Sequence, residues 1–215
     1  MIVTLLVDNP KSWIIPFVRR LKSKLDTKHN VNYVTDYRRI KKGDLAFFLS
    51  CEKIVPPEIL KLNHHNLVVH ESYLPKGKGM SPLTWQILEG KNKIPITLFE
   101  AVEKVDSGSI YIQDLIKFEG HELVDELHKV QGDMTIKMVV NFIDGYSSLK
   151  GIRQEGKPTF YRRRNREDSR LDINKSIKEQ FNLMRVVDNE QYPLNFDYLG
   201  HKYILKIYKG KETGK

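Results

Sequence analysis

Two residues of this chain have the type and setting for proton chemistry. His70 ends an apolar run, Leu67-Val68-Val69, and opens a stretch, Glu71 to Gly79, that carries one proline and two glycines. An imidazole placed there can take and return a proton near neutral pH. Asp106 follows 36 residues later, in the turn-like Asp106-Ser107-Gly108 after another apolar stretch. A carboxylate beside an imidazole fixes its tautomer and stabilises the imidazolium. Each also has an ordinary explanation. A histidine after a strand is commonly a surface or packed residue, and Asp-Ser-Gly is commonly just a turn. Cys51, the one cysteine, has no activating partner pattern and reads as a packed thiol; alone it excludes an internal disulfide and a multi-cysteine zinc site. His64 and His65 read as exposed loop residues, and no metal site is expected.

The elements that must position these residues follow from hydrophobic pattern. Ile2 to Val7 is a continuous apolar run, as in a strand buried on both faces. Ile14, Val18, Leu21 and Leu25 mark one face of a helix, with basic residues outside it. Val31–Val34, Leu45–Leu49 and Leu67–Val69 are further strand candidates, and Pro56-Pro57 can open a short helix. Ser81 to Glu89 reads as a helix capped by Ser81, with Pro82 first and Gly90 ending it. Ile96–Val102 and Ile110–Ile116 read as paired strands. Two helical stripes lie around Gly132; a polar connector spans Gly145–Lys157, a helix Ser176–Val187 and a late strand Tyr203–Tyr208; a frayed tail is expected over Gly210–Lys215. Alternating strands and helices predict a doubly wound, mostly parallel α/β sheet. Its ligands sit beyond the carboxyl ends of strands, so Asp8–Ser12, Ser50–Lys53 and His70–Gly79 are the segments to search. The expected division is a Rossmann-like catalytic domain over 1–150 and a small α+β extension over 151–215 that helps bind substrate.

The chain has 215 residues and a formal net charge of +9. Hydrophobic residues make up 40% and charged residues 29%, which suits one soluble core. No apolar run approaches the roughly 20 residues of a membrane span. The start, MIVTLLVDNPKSWII, shows no signal-peptide pattern, and a cytoplasmic setting is expected. The positive balance suits a polyanionic partner, either nucleic acid or a phosphorylated small molecule. The basic residues are spread along the chain, and no RNA-binding motif appears, so no nucleic acid and no membrane partner are expected.

The stretch Val68-Val69-His70-Glu71-Ser72-Tyr73-Leu74-Pro75, then Gly79, then Asp106-Ser107-Gly108, resembles the folate-dependent formyltransferases. Their signature is Asn-x-His-x-Ser-Leu-Leu-Pro, a glycine-bearing loop, a helix and Asp-x-Gly. Ser81-Pro82-Leu83-Thr84-Trp85 and Pro95-Ile96-Thr97-Leu98 also match the family's loop-helix and following strand. Arg163-Arg164-Asn165-Arg166-Glu167-Asp168-Ser169, Asn182 to Val187 and Tyr192-Pro193 are similar to segments of the branch acting on nucleotide-linked amino sugars. The composite is specific, and no single piece of it is.

The resemblance implies transfer of a formyl group from N10-formyltetrahydrofolate to the primary amine of a nucleotide-linked amino sugar, with tetrahydrofolate as product and no metal. It implies His70 and Asp106 as the catalytic pair. It places folate on Cys51, Glu52, Lys53, Ile54, Ala101, Val102 and Val105, largely through backbone atoms. It places the sugar nucleotide on Asn9, Ser12, Trp13, Lys76, Lys78, Gly79, Arg164, Arg185 and Tyr192. The C-terminal segment is a candidate homodimer surface. One departure stands out: Val68 occupies the position of the family's asparagine, whose amide helps hold the oxyanion. Loss of such a donor typically costs about 2.7–4 kcal/mol of transition-state stabilisation. Asn66, Ser50, Cys51 and a backbone N–H are candidate replacements. Val68 also motivates a second reading, a formyltetrahydrofolate hydrolase or a homologue that binds without turnover. A third, of a different class, is a basic nucleic-acid-binding module.

Overall fold

The apolar runs become strands that alternate with helices, in the order β1 (Ile2–Leu6), α1 (Ile15–Leu25), β2 (Asn30–Val34), β3 (Gly43–Phe48), α2 (Pro57–Leu60) and β4 (Asn63–His70). There follow β5 (Lys78–Gly79), α3 (Pro82–Leu88), β6 (Lys93–Glu100), β7 (Ile110–Lys117) and α4 (Val124–Asp144). The remainder holds β8 (Phe160–Tyr161), α5 (Ile177–Arg185) and a hairpin of β9 (Leu194–Tyr198) and β10 (His201–Leu205). The computed structural model describes residues 1–211, so most of the expected tail lies outside the described residues. Among the described residues no helix is long and apolar enough to cross a membrane.

The central sheet runs β2-β1-β3-β4-β6-β7. β1 lies parallel to β2 and β3, and β3 parallel to β4, whereas β6 and β7 pair antiparallel. This is the expected doubly wound sheet with an antiparallel flank. The order changes direction between β1 and β3, so a crevice opens at the carboxyl ends of these strands. Successive strand residues serve opposite faces. Leu5, Phe47 and Leu67 pack with α1 and α4, while Leu6, Phe48 and Val68 pack with Ile40 and Val55 on the other side.

Several elements differ in detail from the sequence expectation. β4 begins at Asn63, so His64 and His65 belong to a strand and not to a loop. His65 Nδ1 finds Glu100 Oε2 at 2.8 Å and the Tyr111 hydroxyl at 3.1 Å, which makes a polar residue tolerable there. β6 stops at Glu100, not Val102, although the Ala101 N–H still donates to the Asn66 carbonyl of β4. The two stripes around Gly132 form one continuous helix, α4. A Cβ at Gly132 would lie 2.4 Å from Phe17 of α1, so the missing side chain lets the two helices approach. Ser81 precedes α3 but does not cap it: its backbone is left-handed (φ 53°, ψ 46°), and its side chain makes no cap bond. Ser176 does cap α5, accepting from the Glu179 N–H. The late strand is shorter than expected and pairs with β9 across Leu199-Gly200.

Candidate active site

The loop after β4 is held by residues far along the chain. The Gly77 N–H donates to Thr159 Oγ1 at 2.8 Å, and the Lys78 N–H donates to the Thr159 carbonyl at 2.9 Å. β5 pairs with β8, and a Cβ on Gly79 (φ +98°) would fall 2.3 Å from the Tyr161 carbonyl oxygen, so glycine is required there. The backbone thus pinned brings the two expected catalytic residues together. His70 Nε2 lies 2.8 Å from the Gly77 carbonyl, and the Gly79 N–H donates to Asp106 Oδ2 at 2.8 Å. His70 Nε2 and Asp106 Oδ2 stand 4.0 Å apart, and both side chains are nearly buried. A carbonyl only accepts, so the neutral ring carries its proton on Nε2 and leaves Nδ1 basic. The group that orients His70 is therefore the Gly77 carbonyl; Asp106 stands at ion-pair distance, positioned to answer a charge on the ring. Gln154 donates to the carbonyls of Asp106 and Gly108 at 3.0 and 2.9 Å and holds the Asp loop in turn.

Both residues line a cavity of about 520 Å³ at the carboxyl ends of the strands. One wall is apolar: Phe48, Leu60, Val68 and Phe99. The expected folate residues Cys51, Glu52, Lys53, Ile54, Ala101, Val102 and Val105 all lie on the cavity wall. Asp8, which opens one of the segments searched in the sequence, sets this wall. Its buried carboxylate accepts the N–H groups of Glu52 (2.9 Å) and Lys53 (2.7 Å), tying the loop after β3 to the end of β1. The Cys51 thiol faces the Leu6 carbonyl at 3.4 Å, and burial pushes its pKa up to about 12, as befits a packed thiol and not a nucleophile.

Of the residues expected to meet the sugar nucleotide, Asn9, Ser12, Trp13, Gly79, Arg164 and Tyr192 also line the cavity. Asn9 Nδ2 donates to Glu52 Oε1 at 2.7 Å, joining the two loops at the mouth. Trp13 stacks on His128 of α4, with ring centroids 4.3 Å apart and planes within 6°. Burial lowers the His128 pKa to about 4, so the imidazole is neutral at pH 7. Arg164 donates to the Val186 carbonyl at 3.2 Å, and burial draws its pKa down.

Four expected site residues do not reach the cavity. Asn66 Nδ2 donates to the Leu60 carbonyl at 2.7 Å, so its amide is engaged away from His70 and cannot serve the oxyanion. Of the side chains weighed for that role, Ser50 remains, lining the cavity with its hydroxyl 3.4 Å from that of Ser12. Lys76 is exposed outside the cavity wall. Lys78 is buried and donates from Nζ to Ser107 Oγ at 2.8 Å, serving the Asp106 loop. Arg185 is 1% exposed and engaged with Glu122, Asn92 and Asn182, which makes it a structural tie. Conversely, Glu71, His128 and Gln131 line the cavity and were not singled out in the sequence. The helical spacing of His128 and Gln131 was the available signal, and it was hidden inside an apolar stripe.

A strand-ending histidine and an Asp loop bound to a glycine loop thus share one crevice at the switch point of the sheet, an arrangement able to move protons. Residues 15–141, over half the chain, match the formyl transferase family, and the chain belongs to that family. It is 31% identical over 176 residues to methionyl-tRNA formyltransferase of Bacillus thuringiensis (strain Al Hakam), covering 79% of this chain and 54% of that protein. It is 30% identical over 197 residues to the bifunctional polymyxin resistance protein ArnA of Wigglesworthia glossinidia brevipalpis, covering 85% of this chain and 28% of that protein. The chain thus spans about half the length of the first relative and less of the second. Among solved structures, methionyl-tRNA formyltransferase from Clostridium thermocellum superposes with a TM-score of 0.81 at 21% identity, covering 98% and 93% of the two chains. A sugar N-formyltransferase from Shewanella sp. superposes with 0.73 at 12% identity, covering 99% of each. HypX from Aquifex aeolicus in complex with tetrahydrofolic acid superposes with 0.79 at 18% identity, covering 95% of this chain and 37% of that one. At these identities the structures show a shared fold.

Proposed function

We propose that the chain transfers a formyl group from N10-formyltetrahydrofolate to the primary amine of a nucleotide-linked amino sugar, with residues 1–150 carrying the chemistry and 151–215 completing the acceptor side. The observation that carries this reading is the pairing of His70 and Asp106 across one cavity, 4.0 Å apart. The apolar wall with Phe48 and Phe99 suits the flat pterin, and the loops around Cys51–Ile54 and Ala101–Val105 offer backbone groups to its amide-like edge. Lys11, Lys53, Arg163 and Arg164 on the cavity wall suit the phosphates of a nucleotide. Tetrahydrofolate in the HypX neighbour and the sugar substrate of the Shewanella enzyme support the same choice.

In the reaction the amine nitrogen bonds to the formyl carbon and the bond from that carbon to folate N10 breaks. His70, basic at Nδ1, takes a proton from the attacking nitrogen and returns it to N10. Asp106, held by the Gly79 N–H, stabilises the imidazolium while the proton is in transit. The cavity that holds both reactants supplies proximity. A second reading, hydrolysis of the donor, is favoured by Val68, which offers no oxyanion donor. Incubation with N10-formyltetrahydrofolate and UDP-, dTDP-, GDP- and CMP-linked amino sugars separates the two. A sugar nucleotide heavier by one formyl group supports transfer; tetrahydrofolate and formate without such a product support hydrolysis.

A further inference from the structure

Glu71 is the one acid next in sequence to the proposed base, and the fold sends it to the other side of the sheet. In β4 Leu67 and Val69 face α4 whereas Val68 faces the opposite layer. His70 turns to Gly77, and Glu71 turns to α4, where Gln131 Nε2 donates to its Oε1 at 2.7 Å. Both side chains nevertheless line the same cavity. Gln86 Nε2 donates to the Glu71 carbonyl at 2.6 Å and fixes its backbone. No described cation pairs with this carboxylate: its one side-chain partner is a neutral amide.

The proposed chemistry leaves a proton unaccounted for. A primary ammonium must lose two protons to become a formamide nitrogen, and only one of them goes to N10. The other must leave for solvent. We propose that Glu71, held by Gln131, binds the acceptor's ammonium and takes this first proton, delivering a neutral amine toward the formyl carbon beside His70. The nitrogen to carbon bond then forms with the second proton passing through His70 to N10, and Glu71 releases its proton to water. The inference rests on the formyl-transfer reading above.

Burial pushes the Glu71 carboxyl above its ordinary range, with the His70 ring and the Gln131 amide opposing, which makes it a stronger base than an exposed glutamate. The other titratable groups sharing the cavity are Asp106 on the β6–β7 loop, His128 on α4, Lys11, Cys51, Glu52 and Lys53 on the loops after β1 and β3, and Arg163, Arg164, Asp188 and Tyr192 in the C-terminal segment.

The test compares wild type and Glu71→Gln with N10-formyltetrahydrofolate and whichever UDP-, dTDP-, GDP- or CMP-linked amino sugar the wild type formylates, between pH 6.5 and 9. Glutamine keeps the volume and the bond to Gln131 but cannot take the proton. The expected result is a loss of about 10²-fold in kcat/KM for the acceptor at pH 7. That deficit should shrink toward high pH, where solvent supplies the free amine, with tetrahydrofolate affinity unchanged. A variant within twofold of wild type at pH 7, or a deficit equal at every pH, overturns the inference. Where Glu71→Gln loses tetrahydrofolate binding, Gln131→Met carries the same test, with a smaller deficit of the same pH trend expected and a flat one overturning it. A wild type that formylates no acceptor removes the formyl-transfer reading itself, which is distinguishable because no product then forms in any protein.

Discussion

At the scale of single residues, the arrangement around His70 separates two tasks. The ring is oriented by a backbone carbonyl, and its charge is answered by a carboxylate 4.0 Å away. This predicts different penalties. His70→Ala should lower kcat for formyl transfer by about 10²–10⁴-fold with tetrahydrofolate affinity retained, as read by single-turnover mass spectrometry. Asp106→Asn keeps an oxygen that can accept from Gly79 but lacks the charge. It should lower kcat by roughly 10–100-fold without displacing the loop, on the premise that it loses only part of the electrostatic stabilisation. His70, Ser72 and Pro75 were legible in the sequence as one local stretch, and Asp106 only through the resemblance that joined it to them. The fate of Asn66 was not, because its amide is taken by the Leu60 carbonyl, which lies on a preceding element.

At the scale of elements, α4 forms part of the cavity wall. It supplies Leu127, His128 and Gln131 to the cavity, and its approach to α1 depends on Gly132. Gly132→Ala places a methyl against the Phe17 ring near its base, where the side chain cannot swing clear. We expect a loss of about 1–3 kcal/mol in denaturant unfolding. α5 is attached through Arg185, whose guanidinium meets Glu122 Oε2 at 3.0 Å and Asn92 Oδ1 at 2.9 Å. Removing one partner of a buried pair is costly, so Arg185→Ala should lose about 3–5 kcal/mol of stability. A substrate-binding arginine would instead show a raised acceptor KM with stability intact, and the two measurements tell these apart. The helical periods of α1 and α4 could be read from the sequence, but α4's continuity through Gly132 could not, since glycine is a helix breaker unless a neighbour requires it.

At the scale of the whole molecule, the C-terminal segment is sewn to the catalytic loop through the β5–β8 pairing and through Trp85, whose indole N–H donates to the Arg162 carbonyl at 2.9 Å. The cavity is therefore shared between distant parts of the chain. The half-buried Trp13–His128 stack gives stability a pH dependence of definite sign. The folded pKa of His128, about 4, lies below the unfolded value of about 6.5, so the unfolded state binds the extra proton. The stack's contribution is complete above roughly pH 6.5 and is lost as pH falls toward 4. His128→Phe should remove roughly 2–3 kcal/mol of the stability change between pH 7 and 4.5, measured by denaturant titration at each pH.

The alternation of strands and helices from β1 to α4 and the buried character of the parallel strands were determined by the sequence alone, because each depends on neighbours within a few residues; the pairing of His70 with Asp106 came only from resemblance to a spaced motif. The tertiary structure decided which polar groups are free to act. Asn66, Lys78 and Arg185 are bound to groups elsewhere in the chain, whereas Glu71 emerges in the cavity beside a glutamine 60 residues away. A hydrogen bond has short reach and takes no account of sequence distance, so these assignments existed only once the chain had folded.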